Sequence, residues 1–437
     1  MKIDRIAIRQ GIDYYRSFGL IAFVRRFVHL YRYGPELPSF VPAPRSEETR
    51  TGGAPLSAVQ LLARRFQSLR PLGIYRSPVD PPRLNLVTDS INKGSLFGGV
   101  ATAILLAALL AERRGMRLRI VTRTEKPNTA NVRHVLDCNG IEFSGIVEFA
   151  HAPVGSESPE LDVGANDHFL TTSWWTTASV LGSVPVERVI YLLQEDERMF
   201  YSLGDDFLRA GEIMRHAGLR IVINSRMLFE HLVAEGFTNL VRKGASFEPA
   251  FDPRTFHPVP RIEGGKRRFF FYGRPNNLRN LFYRGIEAID AAVRRGVLDL
   301  AEWDIHMAGK DLPAITFGDG YRPIVSDNLS WQEYGELVRG MDLGLCLMYT
   351  PHPSYPPLDL AACGAAVVTN RFGPKHDLDR YCRNILCVEP DLESLVEGLT
   401  RGVRLAADAA TRQRHLDVSG IQRDWRAALT PVVDQLA

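Results

Sequence analysis

Two arginines in a short loop behind an apolar run are the first residues of this sequence whose types and spacing suit a reaction. In Phe269-Phe-Phe-Tyr-Gly-Arg-Pro-Asn-Asn-Leu-Arg-Asn280 the run delivers Gly273, then Arg274 and Arg279, into a polar loop that precedes a helical pattern. Guanidinium groups make forked, charge-assisted hydrogen bonds to phosphate oxygens, and a helix N-terminus adds partial positive charge, so the pair suits a diphosphate. Standing alone, the segment would read as a surface turn with two solvated arginines. The same strand, loop, helix form recurs, however, in the sequence from Leu343 to Thr369. Its Ser354 to Leu358 backbone offers N–H groups to an anion, although the prolines at 353, 356 and 357 reduce the donors. Asp359, in the first helical turn, suits the hydroxyls of a ribose, or merely offsets the helix dipole.

Other candidates are less distinctive. Trp174 and Trp175 adjoin a strand pattern, and neighbouring strand residues point to opposite faces, so one is expected in the core and one as a platform for an acceptor sugar. Asp377-Leu-Asp379 has the Asp-x-Asp form of metal-dependent sugar transfer but lies late in the chain and reads as a loop. The five cysteines show no Cys-x-x-Cys pairing and no zinc-like grouping with histidine, so neither a metal nor a disulfide frame is expected.

The elements that must position these residues alternate. Arg83 to Asp89 reads as a strand, Lys93 to Gly99 as a glycine loop and Val100 to Arg114 as a helix, the opening of a doubly wound domain. Further strand patterns at 118–123, 147–150, 168–172, 189–193 and 220–224 extend it over residues 83–250. A turn-rich segment, 246–265, precedes a second unit over 266–415, with strands at 268–272, 303–308, 343–348 and 365–369 and helices at 281–295, 331–339 and 358–363. Gly94, Gly98 and Gly99 do not fit the Gly-x-Gly-x-x-Gly dinucleotide fingerprint. Two such α/β units leave a cleft between the carboxyl ends of their strands, where open α/β sheets bind ligands.

Composition bounds the rest. The 437 residues carry 53 basic and 50 acidic side chains, a net +3, too balanced for a chain that coats nucleic acid. The longest apolar run, Val100 to Ala111, falls short of the roughly 20 residues that span a bilayer. Residues 1–33 place Lys2, Arg5, Arg9, Arg16, Arg25, Arg26 and Arg32 among apolar residues at helical spacing, opposed by Asp4 and Asp13. Such a stretch suits an anionic membrane surface, or packs on the protein's own body. Residues 34–82, rich in Pro, Ser and Gly, read as a linker or wrapping segment.

The segment Tyr355-Pro-Pro-Leu-Asp-Leu-Ala-Ala-Cys-Gly-Ala-Ala-Val-Val resembles the signature of retaining glycosyltransferases of family 4, which have the GT-B fold of two Rossmann-like domains facing a cleft. Gly273, Arg274 and Arg279 resemble that family's diphosphate loop, Gly98-Gly99 its paired glycines at the donor phosphate or acceptor, and Arg423 to Leu429 the helix that crosses back to the N-terminal domain, here residues 416–437. Within the family, Tyr191 to Phe200, Phe169 to Ala178 and Pro351 to Asp359 are similar to bacterial rhamnosyltransferases of the WsaF type. The resemblance implies a cytoplasmic, metal-independent retaining enzyme without a cofactor, moving L-rhamnose from dTDP-L-rhamnose to a glycan or lipid-linked glycan. Gly98, Gly99, Gly273, Arg274, Arg279, His352, Ser354, Tyr355 and Asp359 would bind the donor. Gln194, Glu195, Asp196 and Arg274 would be catalytic, and Trp174 and Trp175 would face the acceptor. Two departures stand out: Pro351 replaces the first carboxylate of the family's pair, leaving His352 to substitute, and Gln194 falls where many relatives have a histidine. A GDP- or UDP-hexose donor, or a silent glycan-binding subunit, are the alternatives.

Overall fold

The computed structural model describes residues 55–92, 96–155, 161–260, 264–327 and 329–437; the basic stretch 1–33 and most of the glycine loop's lead-in lie outside them. Residues 58–437 contain two parallel sheets. The first has seven strands: β2 (Arg83–Thr88), β3 (Arg117–Thr122), β4 (Val147–His151), β6 (His168–Thr171), β7 (Val189–Leu193), β8 (Arg220–Asn224) and β9 (Gly244–Phe247), in the order β4-β3-β2-β6-β7-β8-β9. The second has six: β10 (Arg267–Gly273), β11 (Trp303–Gly309), β12 (Ile324–Asp327), β13 (Leu343–Leu345), β14 (Ala366–Asn370) and β15 (Ile385–Val388), in the order β12-β11-β10-β13-β14-β15. In both, the first three strands run from the middle outward to one side and the rest to the other. Each sheet therefore has a switch point, beside β2 and beside β10, where diverging connections leave a crevice.

The central strands are continuous apolar runs because helices cover both faces. Helix Ala101–Arg114 is buried from Thr102 to Ala111, with β2 on one side and helix Trp425–Leu436 on the other. It ends at Gly115, whose left-handed backbone (φ 62°) turns its N–H back to Ala111, while Arg113 and Arg114 in the last turn complement the dipole. Trp425, Leu429, Val432, Val433 and Leu436 share one core with Leu84, Leu86 and Leu105, so the chain's last helix is built into the N-terminal sheet domain.

Residues 70–76 wrap that domain rather than merely link it. β1 (Ile74–Arg76) pairs with β5 (Leu161–Val163), and the Leu72 N–H donates to Ser179 O at 3.1 Å. Two other elements differ from the sequence expectation. Trp174 and Trp175 open helix Trp174–Leu181 instead of lying in a strand, because Ser173 forms a capping box with Thr176. The helix expected at 358 begins at Tyr355, since Pro356 and Pro357 fit a first helical turn, where their missing N–H groups have no partner to lose. No described helix is long and apolar enough to cross a membrane.

Candidate functional site

Between the carboxyl ends of the two sheets lies a cavity of about 820 Å³. Gly98 and Gly99 reach it from the turn after β2, Gln194 and Glu195 from the end of β7, Arg274 and Arg279 from the loop after β10, and His352, Ser354, Tyr355 and Asp359 from the loop and helix after β13. Gly98 has φ +70°, which glycine adopts without the penalty of a Cβ. Gly99 is closely approached: a Cβ there would lie 2.9 Å from Gln194 Nε2, which donates to Gly99 O at 2.7 Å. Gly273 does not line the cavity. Its space is filled by Leu312 and Phe282, within 2.8 and 3.0 Å of any added Cβ, so its glycine answers to packing behind the loop.

The two arginines differ. Arg274 makes no ion pair among the described residues, and its guanidinium borders the Tyr272 hydroxyl. Arg279 lies 3.2 Å from the Glu195 carboxylate, without hydrogen-bond alignment from that nitrogen, and its guanidinium carbon stacks 4.4 Å from the Phe200 ring centroid. Glu195 also accepts a hydrogen bond from the Thr350 hydroxyl across the domain boundary. Two cationic groups on one cavity, Arg279 with a buried nitrogen that has no hydrogen-bond partner among the described residues, make a seat for an anion.

The cavity is also lined by a buried carboxyl and a buried imidazole. Asp359 is buried; Oδ2 accepts from the Tyr334 hydroxyl at 2.9 Å, while Oδ1 has no partner among the described residues. Burial pushes this carboxyl up to about 8, only partly opposed by Tyr334. His352 is also buried, and burial pushes its imidazole down to about 4. Nδ1 accepts the Ser354 N–H at 2.9 Å, so the neutral ring carries its proton on Nε2, which faces Asn224 Oδ1 at 3.5 Å.

Asn224 is a hub that the sequence reading passed over. Its Nδ2 donates to the Tyr355 hydroxyl at 2.7 Å and to Gln194 Oε1 at 3.3 Å, and Tyr355 also bonds Thr102 Oγ1 at 2.9 Å. A polar residue closing the apolar strand Arg220–Asn224 was the available signal, since parallel strands present their last residues to the ligand crevice. Asn280 and Lys375 were also missed. Their side chains, with Thr369 and Asn370, replace strand partners along 346–348. Thr369 donates to Cys346 O (2.7 Å), Asn280 to Leu347 O (3.1 Å) and Lys375 to Met348 O (2.8 Å), while Asn370 accepts from Met348 N (2.7 Å). This is why β13 stops at Leu345 instead of running to Met348. Asn280 Oδ1 also accepts the Arg274 N–H at 2.6 Å, tying the two loops together. Lys375 is wholly buried, and burial pushes its amine down to about 8.

Three further expected site residues, besides Gly273, are not in the cavity. Asp196 is buried behind it, paired with Arg198 at 2.6 Å and 3.6 Å from His231. Burial opposes its ionisation, but the bonds to Arg198 and His231 prevail and hold the carboxyl below its ordinary range, so it caps the turn Glu197–Phe200 and touches no ligand space. Trp174 is buried, its indole N–H on the Tyr201 hydroxyl at 3.0 Å and its backbone N–H on Glu197 at 2.6 Å. Trp175 is half-buried and donates to both Asp89 oxygens at 3.1 and 3.0 Å. The helix that Ser173 caps turns both rings away from the cavity. Asp377 and Asp379 are exposed and do not line it either. Among the described residues no group of three or more His, Cys, Asp or Glu could hold a metal.

Two family models match this chain: the WsaF C-terminal domain over residues 267–400 and the WsaF N-terminal domain over residues 83–226, together more than half of its length. The O-antigen biosynthesis protein RfbC of Myxococcus xanthus is 32% identical over 331 residues, 73% of this chain; the chain spans 25% of that relative's length. Among solved structures, Anabaena HepE in complex with UDP-glucose superposes with a TM-score of 0.57 at 14% identity, covering 81% of this chain and 99% of that one. Sucrose-phosphate synthase from Thermosynechococcus elongatus gives 0.53 at 13% identity, with 81% and 98% covered. At these identities the likeness is one of fold, the two-sheet GT-B architecture.

Proposed function

This chain belongs to the WsaF family, and from that premise we propose that its cleft binds a nucleoside diphosphate sugar and transfers the sugar to a glycan or lipid-linked glycan hydroxyl in surface polysaccharide synthesis. The observation that carries the reading is the cavity's polarity: Arg274 and Asp359 Oδ1, which among the described residues have no ion-pair partner and no hydrogen-bond donor respectively, face one space of about 820 Å³. A diphosphate satisfies the first and ribose hydroxyls satisfy the second. HepE's UDP-glucose and RfbC's O-antigen role support the same class of ligand and product.

The proposed donor is dTDP-L-rhamnose. The bond from the sugar's C1 to the diphosphate oxygen breaks while the acceptor oxygen bonds to C1 on the same face, and the acceptor's proton passes to the leaving phosphate oxygen. Negative charge grows on the diphosphate, and Arg274 and Arg279 stabilise it there without a metal ion. Glu195, held between Arg279 and Thr350, and Gln194, held on Gly99, orient donor and acceptor; no residue forms a covalent intermediate. His352, neutral above about pH 5, presents Nε2–H in place of the carboxylate that Pro351 lacks, which suits a deoxy sugar with one hydroxyl fewer. The enzyme works at the cytoplasmic face of the plasma membrane, with residues 1–33 on its anionic surface.

The test is a donor panel. Purified protein is offered dTDP-L-rhamnose and UDP- and GDP-hexoses, and nucleoside diphosphate release is followed with and without glycan acceptors. Preferential consumption of dTDP-L-rhamnose is expected. Consumption of a UDP- or GDP-hexose instead would reassign the donor, and no consumption of any would leave the glycan-binding reading in its place.

A further inference from the structure

Ser354 sits in a backbone conformation that belongs to glycine. Its φ of 70° and ψ of 152° fall where a Cβ is strongly disfavoured, and it is one of three described non-glycine residues with positive φ. It also precedes helix Tyr355–Ala362, where a serine oxygen ordinarily accepts the N–H of the second or third helical residue. Here those residues are Pro356 and Pro357, which have no N–H to give, and the serine makes no capping bond. Its Oγ is buried, has no hydrogen-bond partner among the described residues, and borders the cavity.

We infer that the Ser354 hydroxyl is a phosphate ligand, donating to a phosphoryl oxygen of the nucleotide and standing in for the N–H groups that the two prolines remove from this helix end. The inference rests on the nucleotide-sugar reading and adds a specific contact to it. A glycine would relieve the backbone but supply no donor; a buried, unpaired hydroxyl in a disfavoured conformation is a cost that a bound anion offsets. Ser354 Oγ lies on the same cavity as Arg274 and Arg279, so one diphosphate is held from the helix end and from the arginine loop.

The experiment measures dTDP affinity and thermal midpoint for the parent, Ser354→Ala and Ser354→Gly. Alanine removes the hydroxyl and keeps the disfavoured backbone, whereas glycine removes both. Both variants are expected to bind dTDP about tenfold or more weakly, the loss typical of a hydrogen bond to a charged group. The glycine variant is expected to melt above the alanine variant. Parental dTDP affinity in Ser354→Ala overturns the inference, and a loss seen with dTDP-L-rhamnose but not with dTDP overturns it by moving the contact to the sugar. A parent that binds no nucleoside diphosphate, with its Arg274→Ala variant equally silent, identifies failure of the nucleotide-sugar reading itself.

Discussion

At the scale of single residues, two side chains carry the donor assignment and each predicts a distinct signature. Removing Arg274 takes a charge-assisted contact from the developing diphosphate, so Arg274→Ala should lower turnover about a hundredfold, with circular dichroism unchanged because among the described residues the guanidinium pairs with no carboxylate. Asp359 predicts a pH effect. Its folded value of about 8 lies above the ordinary 3.8, so its contribution to the ligand-free protein's stability is fully present below about pH 4 and is lost as pH rises through 8. Asp359→Asn should flatten that slope in denaturant melts. Ribose hydroxyls donating to the carboxylate favour its ionised form, so dTDP binding near pH 7 should release protons in the parent and fewer in the variant. Calorimetry in buffers of different ionisation enthalpy reads this directly, and equal proton release from both would remove Asp359 from the ribose.

At the scale of elements, the loop from Cys346 to Thr350 shows how much of the site lies beyond sequence patterns. The strands and helices around it were legible from apolar runs and turn residues, as were Arg274, Arg279 and Asp359 from their place after a strand. The loop's support was not, because Asn280, Thr369, Asn370 and Lys375 act on backbone atoms far away in sequence and no spacing links them. Asp196 failed for the opposite reason: adjacency to Gln194 and Glu195 suggested a shared face, whereas the chain turns after Glu195 and Arg198 claims the carboxylate. The tryptophans lie off the cavity, one of them in the core as expected, because Ser173 starts a helix where apolar content suggested a strand. Asn280→Ala would orphan the Arg274 N–H and the Leu347 carbonyl. A loss of about 1–3 kcal/mol per unpaired group is expected in urea melts, with a raised KM for the donor.

At the scale of the whole molecule, the two sheet domains meet through Tyr355, Asn224 and Glu195, and the chain's last helix completes the core of the first domain. Trp425→Ala should cost about 3–5 kcal/mol, the range for truncating a buried aromatic, because its ring packs in one cluster with Leu84 and Leu105. Deleting residues 1–33 should release the protein from vesicles containing anionic lipid while leaving donor turnover intact; unchanged vesicle binding would instead favour a stretch packed on the protein's own body. For the cavity between the domains, the decisive experiment is a crystal soaked with dTDP. Density is expected with the diphosphate between Arg274, Arg279 and Ser354 and the ribose on Asp359. Nucleotide bound elsewhere, or a diphosphate turned away from Arg274, would contradict it.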